Sequence, residues 1–356
     1  MRYCLFVRED LALLKEAFFD DEEINGMKSD TYMYKELKQF LATQKIDLNT
    51  QYINKPEEAD VIICLNETNY FVTYQRRKIN QLIVLILTEP PVYNAVDWTI
   101  ERHVYFDKVF SYDSDLLKRN SRKYKHINFP INFNFIQNTS LPTEEEFNNK
   151  KLSSLVAGAI AITKGASEKK SLLFERYKIL KWYSNNSPTS LDFYARINPR
   201  NKFEYFRGAS FINKINKKIT IQIASYLFEK RIAKVYRGAI PSLNKNSTLS
   251  NYKFNFCIEN SHSIKGLISE KIFDCFMSKT IPIYYGAPDI EQYIPKNCFI
   301  AYTDFKNLND LNIFLNQLNY NAYLQYLINA NKFLANADQI FSTKTFVTKV
   351  YQEIKL

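Results

Sequence analysis

Glycine is scarce, with 7 residues in a chain of 356. So few glycines argue against Walker-type or GxGxxG phosphate loops, and neither pattern occurs. Histidine is scarcer still: His103, His126 and His262 are the 3 present, too dispersed for a zinc site or a Ser-His-Asp triad. The five cysteines, Cys4, Cys64, Cys257, Cys275 and Cys298, form no CxxC pair, and four of them sit in apolar runs that read as buried thiols. No apolar run is long enough to span a bilayer; the best, Leu82 to Leu87, is of strand length. There is no internal repeat or low-complexity tail. Met1-Arg2 leads straight into a strand with no signal peptide, so a reducing cytoplasm is the expected compartment, and the Asn66-Glu67-Thr68 sequon is expected to be without role.

What is present is a globular composition, 46% hydrophobic and 24% charged, with 27 Phe and 25 Tyr. The net charge of +11 favours polyanionic partners: nucleic acid, anionic lipid headgroups or a nucleotide diphosphate. Much of it is lysine scattered through Asn-, Ile- and Tyr-rich sequence, as on any solvated surface. No zinc finger, RRM or helix-turn-helix signature is present, so the charge alone chooses no partner.

The length suits two domains. In the first half, Tyr3 to Val7, Ala59 to Leu65, Leu82 to Leu87 and Lys108 to Tyr112 read as strands, and Tyr34 to Ala42 as an amphipathic helix. Residues Asn134 to Lys151 lose apolar periodicity and read as a linker. A second series follows, with strands at Leu155 to Ile162 and Leu191 to Ala195 around a helix at Lys170 to Tyr183, then a basic helical region from Asn201 to Lys234. Cys298 to Tyr302 reads as a strand and Leu311 to Leu334 as helical. The expected division is 1–150, 151–335, and a C-terminal helical segment, 336–356, able to pack back on the first domain. Alternating strands and helices predict an α/β fold with doubly wound sheets.

The most informative stretch is Lys253 to Pro288, KFNFCIENSHSIKGLISEKIFDCFMSKTIPIYYGAP. It predicts a strand ending at Glu259-Asn260, a loop, a helix with Ser269 at its N-cap, and a strand over Ile281 to Tyr285. A helix N-terminus beyond a strand's carboxyl end is where open α/β sheets bind phosphorylated ligands, and Lys271 adds a full charge there. The same residues also fit a plain capped helix, with Glu270 complementing the dipole and Lys271 solvated. Pattern alone favours the plain helix.

The strings Phe256-Cys257-Ile258-Glu259-Asn260-Ser261, Ser269-Glu270-Lys271-Ile272-Phe273-Asp274 and Ile281-Pro282-Ile283-Tyr284-Tyr285-Gly286-Ala287-Pro288 resemble the donor-binding core of glycosyltransferase family 10, the α1,3/α1,4-fucosyltransferases, in its bacterial form. The resemblance implies GT-B architecture, with two Rossmann-like domains facing across a cleft, acceptor on the first and GDP-fucose on the second. It implies inverting transfer of L-fucose to a GlcNAc hydroxyl, α1,3, of a glycan or lipopolysaccharide. Glu89, in Thr88-Glu89-Pro90 beyond the strand Leu82 to Leu87, is then the general base. Apolar surroundings would raise its pKa toward neutrality. Arg176 is the implied diphosphate ligand, with Lys170 the competing alignment. Lys245, Asn260, Ser269, Glu270, Lys271 and Tyr285 are the further donor-binding candidates; Lys245 reads equally as a surface lysine.

Family members usually carry tyrosine three residues before the Glu-Lys pair, where this chain has Leu267. That donor contact is expected to be lost, or supplied by Ser269 or Tyr285. Arg176 and Lys271 would provide the charge of a divalent ion, so no metal site and no cofactor beyond the GDP-fucose substrate is expected. Asp113-Ser114-Asp115 imitates a DxD metal motif but reads as a helix N-cap pair, and His262 reads as exposed. A peripheral place on the inner membrane face is compatible with the charge; nucleic acid is not an expected partner. The competing readings are a transferase for another nucleotide sugar and a non-enzymatic basic protein bound to nucleic acid or membrane.

Overall fold

A computed structural model describes residues 1–12, 15–19, 23–24, 27–28, 31–76, 78, 80–92, 94–133, 140–157, 171–195, 230–241 and 244–356. The first half contains β1 (Arg2–Phe6), a short antiparallel pair β2 (Glu23–Ile24) and β3 (Met27–Lys28), β4 (Asp47–Thr50), β5 (Val61–Leu65), β6 (Leu82–Ile86), β7 (Lys108–Ser111) and β8 (Tyr124–His126). Six of these form one sheet in the order β4-β1-β5-β6-β7-β8, every pairing parallel. The central strands β5 and β6 are continuous apolar runs because both their faces are covered. Leu5, Ile63, Val84 and Ile86 point into one core, while Cys4, Ile62, Cys64, Ile83 and Leu85 point into the other. Alternate residues thus serve opposite layers, as the pleat requires.

The second half repeats the scheme with β9 (Lys151–Ala157), β10 (Leu191–Ala195), β11 (Tyr252–Ile258), β12 (Ile281–Tyr285) and β13 (Ile300–Ala301), ordered β10-β9-β11-β12-β13 and again parallel throughout. The helix Leu173–Asn186 covers one face through Ile179, Leu180 and Tyr183, and the helix Glu270–Met277 covers the other through Ile272, Phe273 and Phe276. The expected strand Cys298 to Tyr302 shrinks to two residues because 3₁₀ turns close on it from both sides.

Three expectations change. The glutamate-rich linker contains a helix, Glu144–Asn149, which starts because Thr143 and Glu146 form a reciprocal capping box with bonds of 3.2 and 2.7 Å. The apolar series Leu311 to Leu334 is two helices, Leu308–Gln317 and Tyr320–Phe341. Asn319 interrupts it, its side-chain oxygen accepting from the Ala322 N–H at 3.0 Å. The long helix therefore runs through residue 335, and the last helix is Thr343–Ile354, capped by Ser342. It sends Phe346, Val347, Val350 and Ile354 into the core of the first sheet. Residues 134–139 of the expected linker, 158–162 of the expected strand, Lys170, and 201–229 of the basic region lie outside the described residues. No described helix is long and apolar enough to cross a membrane.

The carboxyl ends of the two sheets face one another. Lys265, beyond β11, pairs with Asp115, beyond β7, at 2.9 Å. Gly266 lies against the Tyr112 carbonyl so closely that a Cβ there would stand 2.3 Å from its oxygen.

Candidate active site

On the second-domain wall the site is built around Glu259, the first residue after β11 and 1% exposed. A carboxylate buried this deeply needs several donors. The Ser269 N–H donates to Oε1 at 3.0 Å, the Ser269 hydroxyl lies 2.8 Å from both oxygens, and the Lys271 ammonium reaches Oε2 at 3.0 Å. Ser269 caps the helix Glu270–Met277 and accepts from Lys271 Nζ at 2.8 Å. One carboxylate therefore fixes the helix start and its lysine together.

Lys271 stays charged. Burial works against its ammonium, but Glu259 and Glu270 outweigh that and hold its pKa above the ordinary lysine value. Glu270 stands 3.9 Å from Lys271 and 3.7 Å from Lys245. Burial alone would raise its carboxyl; the two lysines reverse this and bring it down to about 2. Lys245 also pairs with Asp274, so it belongs to this cluster and is not a solvated loop lysine. Asp274 is itself raised by burial and by Glu270 against the pull of Lys245.

Arg176 is 3% exposed and its Nη2 donates to the Ile258 carbonyl at 2.5 Å and to Asn260 Oδ1 at 2.8 Å. It stands behind the end of β11, near enough that its charge opposes that of Lys271. Tyr285 stacks between His262 and Tyr302, at 5.8 and 5.4 Å between ring centroids, and Tyr302 donates to Glu175 at 2.7 Å. His262 is thus half-buried against an aromatic ring, not exposed as expected from its polar loop.

The first-domain wall carries Glu89 just past β6. Its side chain has solvent-accessible surface yet is crowded by surrounding protein. Crowding by protein raises its carboxyl pKa, Glu270 adds to the rise, and Lys271 and Arg8 partly offset it. That Lys271 and Glu270 act on Glu89 puts the two walls within electrostatic reach. The Glu89 loop is held by Asn66, whose Oδ1 accepts from the N–H groups of Thr88 and Glu89 at 3.0 and 3.2 Å. Asn66 adopts φ +46°, a left-handed conformation that asparagine tolerates better than most residues. Asn66 itself therefore has a structural role, because its side chain replaces backbone partners at a strand end. From the other side, Trp98 Nε1 donates to the Glu89 carbonyl at 2.8 Å. Asp113 caps the helix Ser114–Arg119 by accepting from Asp115 N–H, as its sequence implied. No metal-ligating group of three or more is found among the described residues.

Residues 196–351 match the family model described as glycosyltransferase family 10 (fucosyltransferase) C-term. This segment is a family 10 glycosyltransferase domain. It carries Lys245, Asn260, Ser269, Glu270, Lys271 and Tyr285, while Glu89 and Arg176 lie upstream of the matched residues. An alpha-(1,3)-fucosyltransferase FucT of Helicobacter pylori is 42% identical over 86 residues, covering 24% of this chain and 18% of that protein. Alpha-(1,3)-fucosyltransferase B of Drosophila melanogaster is 27% identical over 180 residues, 43% of this chain and 40% of that one. The chain thus spans well under half of either relative's length. Among solved structures, an alpha1,3-fucosyltransferase with GDP superposes with a TM-score of 0.50 at 17% identity, covering 100% of this chain and 91% of that one. T4 phage BGT in complex with UDP and Mn2+ gives 0.52 at 13%, each chain covered in full. At such identities the likeness is one of fold, and the fold is GT-B: α/β, with two parallel-sheet halves and a cleft between their carboxyl edges.

Sequence reasoning passed over Glu259, Asn66 and Trp98. Glu259 was legible in part, since a carboxylate at a strand's carboxyl end satisfies the rule that singled out Glu89. Its partners ten and twelve residues on became visible only when the loop folded back. Gly286 of the family 10 domain completes the clamp: a Cβ there would lie 2.5 Å from Glu259 Cγ and 2.5 Å from Tyr284 Oη. Gly286→Ala must displace the carboxylate, and calorimetric titration with GDP should show affinity falling about 10-fold, the equivalent of one charged hydrogen bond.

Proposed function

We propose that the protein transfers L-fucose from GDP-fucose to a glycan hydroxyl with inversion, the O3 of a GlcNAc residue being the acceptor atom. The observation that carries this reading is the Glu259-clamped Lys271 at a helix N-terminus, facing Glu89 across the cleft. The alpha-(1,3)-fucosyltransferases to which the chain is similar support the choice of sugar and linkage.

In this reading the diphosphate lies at the start of the helix Glu270–Met277, where free N–H groups and Lys271 meet it. Arg176 adds charge from behind and orients Asn260. Glu270, held ionised by two lysines, accepts hydroxyls of the donor. Ser269 keeps its cap, and Lys245 screens Glu270 from Asp274. As the acceptor oxygen attacks the anomeric carbon, the bond from that carbon to the diphosphate breaks and GDP leaves with the electron pair. The Glu89 carboxylate takes the acceptor's proton. Its raised pKa makes it a stronger base than an ordinary carboxylate.

The acceptor class extends to lipopolysaccharide, and the net charge of +11 suits a peripheral place on the anionic inner face of a membrane. Incubation with GDP-fucose and N-acetyllactosamine should release GDP and yield fucosylated product. GDP release from other GDP-sugars at the same rate would sink the assignment. Because Lys271 and Arg176 carry the leaving-group charge, transfer should persist in EDTA at an unchanged rate. Complete loss, restored by a divalent ion, would show that these cations do not suffice.

A further inference from the structure

Leu267 stands where the sequence resemblance expects a donor-binding tyrosine, yet it is 4% exposed and faces the other domain. With Ile264 it packs on Tyr112, and Trp98 closes the cluster. Tyr112 and Trp98 belong to the first domain, so this small core is shared between the two halves. The Trp98 and Tyr112 rings lie 5.7 Å apart, inclined at 47°. The same indole donates to the Glu89 carbonyl at 2.8 Å.

The loop that delivers Leu267 is fixed by the two residues before it. Lys265 pairs with Asp115, and the Gly266 N–H donates to Asp289 Oδ1 at 2.8 Å. Gly266 has φ +73° and no room for a Cβ beside the Tyr112 carbonyl, so its backbone sits directly on the first domain. Two residues beyond Leu267, Ser269 enters the Glu259 clamp. One short loop thus holds the Lys271 helix at its end and touches, at its middle, the indole that carries Glu89.

We propose that Leu267 is a positioning residue, setting Glu89 against the donor side of the cleft through Trp98, and is not a vacated donor contact. The proposal rests on the reading of Glu89 as the base. Displacing such a group by about 1 Å costs on the order of 10²-fold in rate. Leucine suits the place because it packs with Ile264 on Tyr112, beside Trp98, without adding a polar atom. A tyrosine would overfill it.

The test uses the full chain with Leu267→Ala, Leu267→Met, Leu267→Tyr and Trp98→Phe, measuring kcat, KM for GDP-fucose, the affinity for GDP, and the pH profile. Leu267→Ala and Trp98→Phe should lower kcat about 10- to 100-fold while GDP affinity stays unchanged. Their acid limb should move to lower pH, because water admitted to the cluster relieves the crowding that raises the Glu89 carboxyl. Leu267→Met should restore most of kcat, and Leu267→Tyr should lower it. Tighter GDP-fucose binding by Leu267→Tyr would overturn the proposal in favour of a vacated contact. A fall in melting temperature with kcat, KM and pH limb unmoved would overturn it in favour of simple packing.

If the unaltered protein transfers no fucose, the function reading fails separately. The coupling is then read from fluorescence in a Trp182→Phe background, where Trp98 is the sole tryptophan. Leu267→Ala should red-shift that emission, and GDP should shift it in the Leu267 protein alone; emission indifferent to both overturns the coupling.

Discussion

Glu89→Gln should abolish transfer, by about 10²- to 10⁴-fold in kcat, the range ascribed to a positioned general base, while GDP binds as before. The substitution preserves size and leaves in place the backbone bonds that hold the loop. Asn66 accepts from the Glu89 N–H, and Trp98 donates to its carbonyl; neither involves the carboxyl group. What changes is the proton acceptor. The sign of the pH dependence follows from the same group. A carboxyl raised by the protein crowded around it and by Glu270 gains its proton, as pH falls, earlier than an ordinary glutamate does. Activity should therefore be full above this raised pKa and disappear as pH drops through it, with the limb missing from the residual rate of Glu89→Gln. An acid limb identical in both proteins would assign the titration elsewhere, and a kcat within a few-fold of normal would remove Glu89 from the base role.

Glu259→Ala should be the most destabilising single change in the second half. It removes a carboxylate that is 1% exposed and bonded to the Ser269 N–H, the Ser269 hydroxyl and the Lys271 ammonium. Lys271, with a side chain 20% exposed, would keep its charge but lose its nearest carboxylate. Leaving one member of a buried pair uncompensated costs about 3–5 kcal/mol, and the stranded amide at the helix start adds about 1–3 kcal/mol. Urea denaturation followed by circular dichroism should show a loss of that order, and GDP affinity should fall with it because the lysine is no longer aimed. Stability within about 1 kcal/mol of the unaltered protein, the scale of an exposed ion pair, would mean that Glu259 only decorates the loop. Glu270 offers the contrast. Held down to about 2, it contributes stability that is present above the ordinary glutamate pKa and is lost only as pH falls toward 2.

Much of this was legible in the chain. Apolar runs such as Ile62-Ile63-Cys64 and Leu82 to Leu87 specified buried parallel strands, because only a sheet covered on both faces accepts apolar residues at every position. Ser269 marked its helix start, and Asp113 its own, through local side-chain chemistry that needs no partner from afar. Glu89 was marked by its place just past a strand. Asn319 and the Thr143–Glu146 box were equally local, and were missed only because a long apolar series and a run of glutamates masked them.

The rest depended on distance. Nothing in the sequence connects Glu259 to Lys271 rather than to any other cation, since a loop of ten residues has many ways back. Lys245 was poised between surface and site until the short helix Lys245–Leu249 before β11 laid it on Asp274 and Glu270. Leu267 was read from its neighbours in the chain as a missing hydroxyl. In the folded molecule its neighbours are Tyr112 and Trp98 of the opposite domain. Local propensities and period-2 burial are properties of consecutive residues, and by themselves they determined the two sheets and their capped helices. Which carboxylate meets which lysine, and which leucine meets which indole, is settled where two sheets bring their carboxyl edges together, and only the tertiary structure decided that.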